Sequence, residues 1–151
     1  MMQKSNIIIR DMEERDVAQI ALLERECFSS PWSEQMVVEE LANPCAHYLI
    51  AECDGKFCGY VGIHTILDEG YITNIAVPMQ FRRKGIACAL LERLILQMKE
   101  LAFITLEVRI SNTPAISLYE KLDFERVGVR KNYYTKPVED ALLMTRYKGR
   151  E

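Results

Sequence analysis

Between Tyr71 and Lys99 the sequence changes its period once, and that change limits what the chain can become. Tyr71–Val77 is a short apolar run rich in β-branched residues, the pattern of a strand. Pro78-Met-Gln-Phe and Arg82-Arg-Lys follow as a loop, and Gly85 opens a stretch running to about Lys99. There Ile86, Leu90, Leu91, Leu94, Ile95 and Met98 recur as one buried helical face. A helix N-terminus carries unpaired N–H groups and a partial positive charge, so it suits an anion. Gly85 removes the side chain that would hold an anion off the backbone, and Arg82, Arg83 and Lys84 add charge at the mouth. The residues alone leave two readings open: a phosphate cradle, or an ordinary loop with a solvated basic run. Neither the GxGxxG nor the GxxxxGK[ST] pattern is present, which disfavours a Rossmann or P-loop nucleotide site.

The flanking sequence predicts strands and helices in irregular alternation. Asn6–Arg10 reads as a strand. Asp16 to Cys27 reads as a helix on the mixed spacing Val17, Ile20, Ala21, Leu23, Glu24 and Cys27, broken by Phe28-Ser-Ser-Pro31. Ser33 caps a second helix to about Ala42, which Asn43-Pro44 stops. Ala46–Cys53 and Lys56–Leu67 are strands joined by a hairpin at Asp54-Gly55, and Asp68-Glu69-Gly70 turns into Tyr71–Val77. Phe103–Ile110 is a strand. Asn112 or Thr113 caps a helix that carries Pro114 in its first turn and ends near Leu122. Phe124–Arg130 and Ala141–Tyr147 are the last strands. This is an α/β chain with a mixed sheet and helices, not a regular βαβ repeat.

Composition bounds the rest. At 151 residues one domain spanning 1–151 is expected, large enough for a core without staples. Nineteen basic against 22 acidic residues, a net charge of −3, argues against a general nucleic-acid binder. No apolar run nears the roughly 18 residues of a membrane span. Met1–Arg10 holds only the short run Ile7–Ile9, too short for a secretory signal, so a soluble cytoplasmic protein is expected. The five cysteines form no CxxC pair and no disulfide framework. Cys45, His47, Cys53 and Cys58 match no common zinc spacing, so small core residues and no metal are expected. His64, in an apolar run, reads as a packed strand residue.

Arg82-x-x-Gly85-x-Ala87 after Asn74-Ile-Ala-Val77 resembles the acetyl-CoA signature of the GNAT N-acetyltransferases. More narrowly, the chain is similar to the bacterial ribosomal-protein alanine N-acetyltransferases of the RimI type. The supporting segments are Phe28-Ser-Ser-Pro-Trp-Ser33, Leu106-Glu-Val-Arg-Ile-Ser-Asn112, Ala115-Ile-Ser-Leu-Tyr-Glu-Lys-Leu-Asp-Phe124, Arg130-Lys-Asn-Tyr-Tyr134 and Glu139-Asp-Ala141. They stand in family order and span nearly the whole chain. The resemblance implies a single-domain GNAT fold, α/β with a mixed, mostly antiparallel sheet flanked by helices. It implies that the backbone at Ile75, Ala76 and Val77 holds the pantetheine arm of acetyl-CoA. Backbone N–H groups of Arg83, Lys84, Gly85, Ile86, Ala87 and Cys88 would hold the pyrophosphate, and Asn112 would also touch the cofactor. On the residues alone Asn112 is a helix cap, which is compatible.

Acetyl transfer to an amine sets two proton problems: the amine must lose a proton before attack, and the departing thiolate leaves more easily if it gains one. Glu107 shares a strand face with Phe103, Thr105 and Arg109, opposite apolar Ile104, Leu106 and Val108. Spacing alone favours a solvated charge, whereas the resemblance makes Glu107 the proton acceptor, acting directly or through water. Tyr119 packs at helical spacing with Ile116 and Leu122, and the resemblance makes it the proton donor to the thiolate. No acyl-enzyme nucleophile is evident, and Cys88 reads as a helix-packing residue, so direct attack in a ternary complex is expected. Trp32, in the loop between the first helices, and Tyr133 and Tyr134, read as a loop between the last strands, would wall a peptide groove; local packing is their bland alternative. The pattern is departed from at Ala87, at Asp123 in place of the glycine before Phe124, and at Pro78, one position early. The implied activity is acetylation of a protein N-terminus, that of a small-subunit ribosomal protein. Its rivals are a GNAT enzyme for a small amine, such as a polyamine or aminoglycoside, and a non-catalytic acetyl-CoA-binding module.

Overall fold

The computed structural model describes residues 6–149, so Met1–Ser5 of the stretch read for a leader lie outside the described residues. Seven strands form a mixed sheet: β1 (Ile7–Asp11), β2 (Ala46–Cys53), β3 (Lys56–Ile66), β4 (Glu69–Ala76), β5 (Phe103–Arg109), β6 (Glu125–Thr135) and β7 (Val138–Tyr147). Their order is β1-β2-β3-β4-β5-β7-β6. Four helices accompany them: α1 (Val17–Cys27), α2 (Glu34–Ala42), α3 (Ile86–Gln97) and α4 (Thr113–Lys121). The chain forms two compact units, Met1–His64 with Thr73–Gln97, and Thr65–Ile72 with Met98–Glu151. Among the described residues no helix is long and apolar enough to cross a membrane.

In the first unit, local chemistry sets the turns. Asp54 and Gly55 hold φ of +53° and +82°, the two-residue hairpin geometry that an Asp-Gly pair favours. The Ser33 side chain accepts from the Met36 N–H at 3.2 Å and starts α2. Ile20, Ala21 and Leu23 of α1 and Val37 of α2 pack with Tyr48, Ile50 and Tyr60 of the sheet. Gly62 is required by a close approach: a Cβ there would lie 2.4 Å from the Tyr48 ring. His64 is not a core residue. Its Nε2 lies 2.7 Å from Glu40 Oε2 on α2, at the half-buried margin. Cys53 and Cys58 are buried, as small core residues should be, while Cys45 is exposed.

In the second unit, β5 alternates strictly: Ile104, Leu106 and Val108 are buried and the intervening residues half-buried. The strand pairs in parallel with Glu69–Tyr71 and antiparallel with β7 over Phe103–Arg109. Glu69 and Gly70 already belong to β4, because the reversal occurs earlier, at Leu67 with φ +56°. The Asn112 side chain caps α4, accepting from the Ala115 N–H at 3.3 Å. Asp123 adopts φ +72° where the helix ends, and Phe124 N–H returns to the Tyr119 carbonyl.

One expectation is corrected. Tyr133 and Tyr134 are not in a loop: β6 continues through both to Thr135, and β7 starts at Val138. The pairing Arg130↔Ala141 is followed by Tyr134↔Glu139, four residue steps on β6 against two on β7. The two extra residues form a bulge. Asn132 turns it with φ +53°, and its N–H is held by Asp140 Oδ1 at 2.8 Å. Asn tolerates this left-handed conformation better than most residues, which is why the strand can absorb the insertion and resume.

Candidate active site

The residues expected to hold a cofactor lie in the first unit, apart from Asn112. Pro78 ends the extended segment, and a 3₁₀ turn at Met79–Phe81 leads to the basic loop. Arg82 is exposed but anchored. Its Nε donates to the Val77 carbonyl at 2.9 Å and its Nη2 lies 3.4 Å from Cys27 Sγ, so it ties the loop to its own base. Arg83 and Lys84 are exposed, and the Lys84 ammonium sits 5.8 Å from the Phe81 ring centre. Arg83 and Gly85 both have positive φ, +63° and +78°, so the backbone reverses there before α3 begins. A Cβ on Gly85 would meet nothing within 4 Å; the space in front of the loop is open. The Gly85 carbonyl accepts the first helical bond, from Ala89 N–H at 3.0 Å. The N–H groups of Ile86, Ala87 and Cys88 thus stand in the first turn of the helix. Open space, left-handed backbone, a helix N-terminus and exposed cations fit a phosphate-bearing ligand.

Ile75 and Val77 are half-buried and Ala76 is buried. Gly59 on β3 lets the neighbouring backbone approach them: a Cβ there would stand 2.9 Å from the Ala76 carbonyl oxygen and 3.2 Å from Val77 Cγ2. Cys88 faces along its own helix, with Sγ 3.1 Å from Glu92 Oε1.

Trp32 is partly buried against the first unit's core, tilted on Tyr48 with ring centres 6.4 Å apart. Sequence reasoning did not single out what holds it. The Trp32 N–H donates to Glu24 Oε1 at 3.0 Å. Glu24 is 1% exposed, and its other oxygen accepts from the Tyr60 hydroxyl and, at 2.7 Å, from Asn74 Nδ2. The available signal was a carboxylate at an apolar-phase position of the first helix.

The residues expected to do the chemistry lie in the second unit. Glu107 on β5 stands across from Leu143 of β7 and is 31% exposed at its side chain. The Tyr133 phenol is close enough to interact with its carboxylate, and Arg130 Nε lies 3.5 Å from Oε1. The hydrogen bond to Glu107, reinforced by burial, raises the Tyr133 phenol above its ordinary range. Tyr134 meets Tyr133 edge-on at 5.1 Å, and burial, with Tyr133 and Glu107 nearby, pushes its phenol up to about 12. Both phenols therefore stay protonated through neutral pH. Tyr119 on α4 is 6% exposed and tilted against Phe124 at 5.7 Å. Burial first, then the nearby Tyr134, raises its phenol, so it too holds its proton.

Arg109, read from spacing as a solvated strand charge, is a clamp. It donates to the Lys136 and Pro137 carbonyls, both at 3.1 Å, pairs with Glu139 at 3.2 Å, and lies over the Tyr134 ring at 4.3 Å. Glu139 also accepts from the Ser111 N–H at 2.7 Å, and these contacts hold its carboxyl below the usual range. Glu107, Tyr133 and Tyr134 are thus brought together, with Arg130 and Arg109 beside them. The cofactor-loop residues and Trp32 belong to the other unit.

A basic glycine loop opens a helix in the first unit, and a strand carboxylate stands beside paired phenols in the second. The chain belongs to the acetyltransferase (GNAT) family, whose model matches residues 17–124, and it is an N-acetyltransferase. It is 35% identical over 140 residues to the [ribosomal protein bS18]-alanine N-acetyltransferase of Escherichia coli (strain K12), covering 90% of this chain and 94% of that one. It is 37% identical over 151 residues to an N-alpha-acetyltransferase of Sulfurisphaera tokodaii, covering 90% of each. The crystal structure of the ribosomal-protein-S18-alanine N-acetyltransferase from Escherichia coli superposes with a TM-score of 0.88 at 32% identity, over 97% of this chain and 96% of that chain.

Proposed function

We propose that the protein is an acetyl-CoA-dependent Nα-acetyltransferase of the cytoplasm, acting on the N-terminal amine of a ribosomal protein, with residues 1–151 as one catalytic domain. The observation that carries this is the Glu107 carboxylate, half-exposed on a strand beside the paired tyrosines Tyr133 and Tyr134 and 3.5 Å from Arg130. The names of the two bacterial and archaeal relatives support a protein N-terminus as acceptor.

Acetyl-CoA supplies the activated acetyl group as a thioester. The N–H groups from Arg83 to Cys88 hold its phosphates, the backbone at Ile75, Ala76 and Val77 its pantetheine arm, and Asn112 a further contact. Glu107 accepts the proton of the acceptor's ammonium, directly or through water. A peptide α-amine, with a reference pKa of about 7.7–8.0, gives up that proton more readily than a lysine at about 10.4. Tyr119, kept protonated by burial, donates to the leaving sulfur. Tyr133 and Tyr134 orient the acceptor backbone, and Trp32 bounds the acceptor loop. Attack is direct, with both substrates bound.

Mass spectrometry of protein N-termini from cells with and without the protein tests the reading. It expects a ribosomal-protein N-terminus to lose its acetyl group on deletion. In vitro, N-terminal peptides should be acetylated in preference to polyamines and aminoglycosides. Preference for a small amine would replace the acceptor assignment, and acetyl-CoA binding without turnover on any acceptor would replace the catalytic one.

A further inference from the structure

We propose that Glu24 is a positioning residue for the acceptor side, fixing the Trp32 backbone and tying it to the strand segment at Asn74. This rests on the proposed role of Trp32 at the acceptor. Glu24 projects from α1 into the first unit's core and takes donors from three other segments. The Trp32 N–H from the α1–α2 loop reaches one oxygen; the Tyr60 hydroxyl from β3 and the Asn74 amide from β4 reach the other. Asn74 is fixed in turn, because its Oδ1 accepts from Thr73 Oγ1 at 2.7 Å and from the Tyr48 hydroxyl at 3.4 Å. Tyr48 closes the circuit by stacking on Tyr60 at 6.2 Å and touching the Trp32 ring. The bonds are divided between the two oxygens, and this division makes the group specific. A carboxylate accepts at both positions, whereas a glutamine amide must place an NH₂ against either the Trp32 N–H or the Asn74 NH₂. A loop N–H that would otherwise face solvent is therefore held by a buried anion, a charge-assisted bond stronger than a neutral one.

The chain has a single tryptophan, so Trp32 reports its own loop. Glu24→Met, which fills the same space with no comparable acceptor, is expected to raise acrylamide quenching of Trp32 fluorescence about twofold and the KM for an acceptor peptide about tenfold, with the acetyl-CoA Kd within about twofold. Tyr60→Phe removes a different donor from the same carboxylate and leaves the Trp32 bond intact. It should lower Tm comparably while leaving quenching and peptide KM unchanged. In the native protein the Trp32 amide should exchange its hydrogen about 100-fold more slowly than an unprotected amide. Unchanged quenching in a folded Glu24→Met variant overturns the proposal. So does an equal rise in peptide KM for Tyr60→Phe, or an unprotected Trp32 amide in the native protein. A loosened Trp32 with unchanged peptide KM also overturns it. If the native enzyme acetylates only small amines, the functional reading fails instead, and quenching and exchange still decide whether Glu24 holds the loop.

Discussion

Two glutamates in two regions of the molecule each lie beside a tyrosine phenol, in opposite surroundings. Glu24 is 1% exposed and takes three donors, none of them a cation. Glu107 is 31% exposed, and among the described residues its partners are the Tyr133 hydroxyl and Arg130 at 3.5 Å. A carboxylate has about four lone-pair positions. Three donors from three segments leave Glu24 little capacity and make it a joint. Glu107 keeps accessible capacity for a proton from outside the protein. On the proposed function, saturation of the acceptor, rather than residue type, separates a packing acid from a working one.

The largest expected effect breaks this contrast most directly. Glu107→Gln should lower kcat by about 10²–10⁴-fold, with Tyr119→Phe close behind, while the acetyl-CoA Kd by calorimetry stays near the native value. Near-native turnover in both variants would remove the proton roles and leave Glu107 a surface charge. Next, Glu24→Ala should cost about 3 kcal/mol of unfolding free energy in urea titrations, because three buried donors lose their acceptor at once. Glu107→Ala, on a half-exposed face, should cost under about 1 kcal/mol. Equal losses at the two positions would mean that burial is not what distinguishes them. Smaller again is Gly85→Ala, at φ +78°. It should weaken acetyl-CoA binding about tenfold and leave kcat at saturating cofactor within about twofold, the reverse signature of Glu107→Gln.

What could be read from sequence follows from how local each determinant is. The Asp54-Gly55 hairpin, the Ser33 and Asn112 caps and the apolar face of α3 each depend on residues within one turn of one another, and each appears where expected. The glycine loop was visible as a motif, but the turning of Arg82 onto the Val77 carbonyl was not, since a basic run does not state which cation faces inward. Glu24 was visible only as a misfit in a buried helical phase; its partners come from 8, 36 and 50 residues away. Arg109 and Glu139 are 30 residues apart and meet only because β5 and β7 pair. The continuation of β6 was missed for a local reason: Lys131-Asn132 has the composition of a turn, and it is one, inside a strand.

That bulge allows the finest test of the comparison. Between Arg130 and Tyr134 the strand gains two residues on its partner, and the detour is held by the Asn132 N–H on Asp140 Oδ1 at 2.8 Å. It lies directly before Tyr133, whose hydroxyl reaches Glu107. If Glu107 works because its surroundings are set but not saturated, loosening the bulge should disturb orientation more than chemistry. Asp140→Ala removes the acceptor while leaving Asn132 free to keep its conformation. It should cost about 1 kcal/mol of stability, raise the peptide KM about threefold and leave kcat within about twofold. Asn132→Gly, which accepts positive φ without strain, should leave both constants near native because the backbone N–H remains. A large fall in kcat for Asp140→Ala would show instead that the Tyr133 bond is part of the proton transfer. The second region would then resemble the first, with an acid that functions only when every donor is in place.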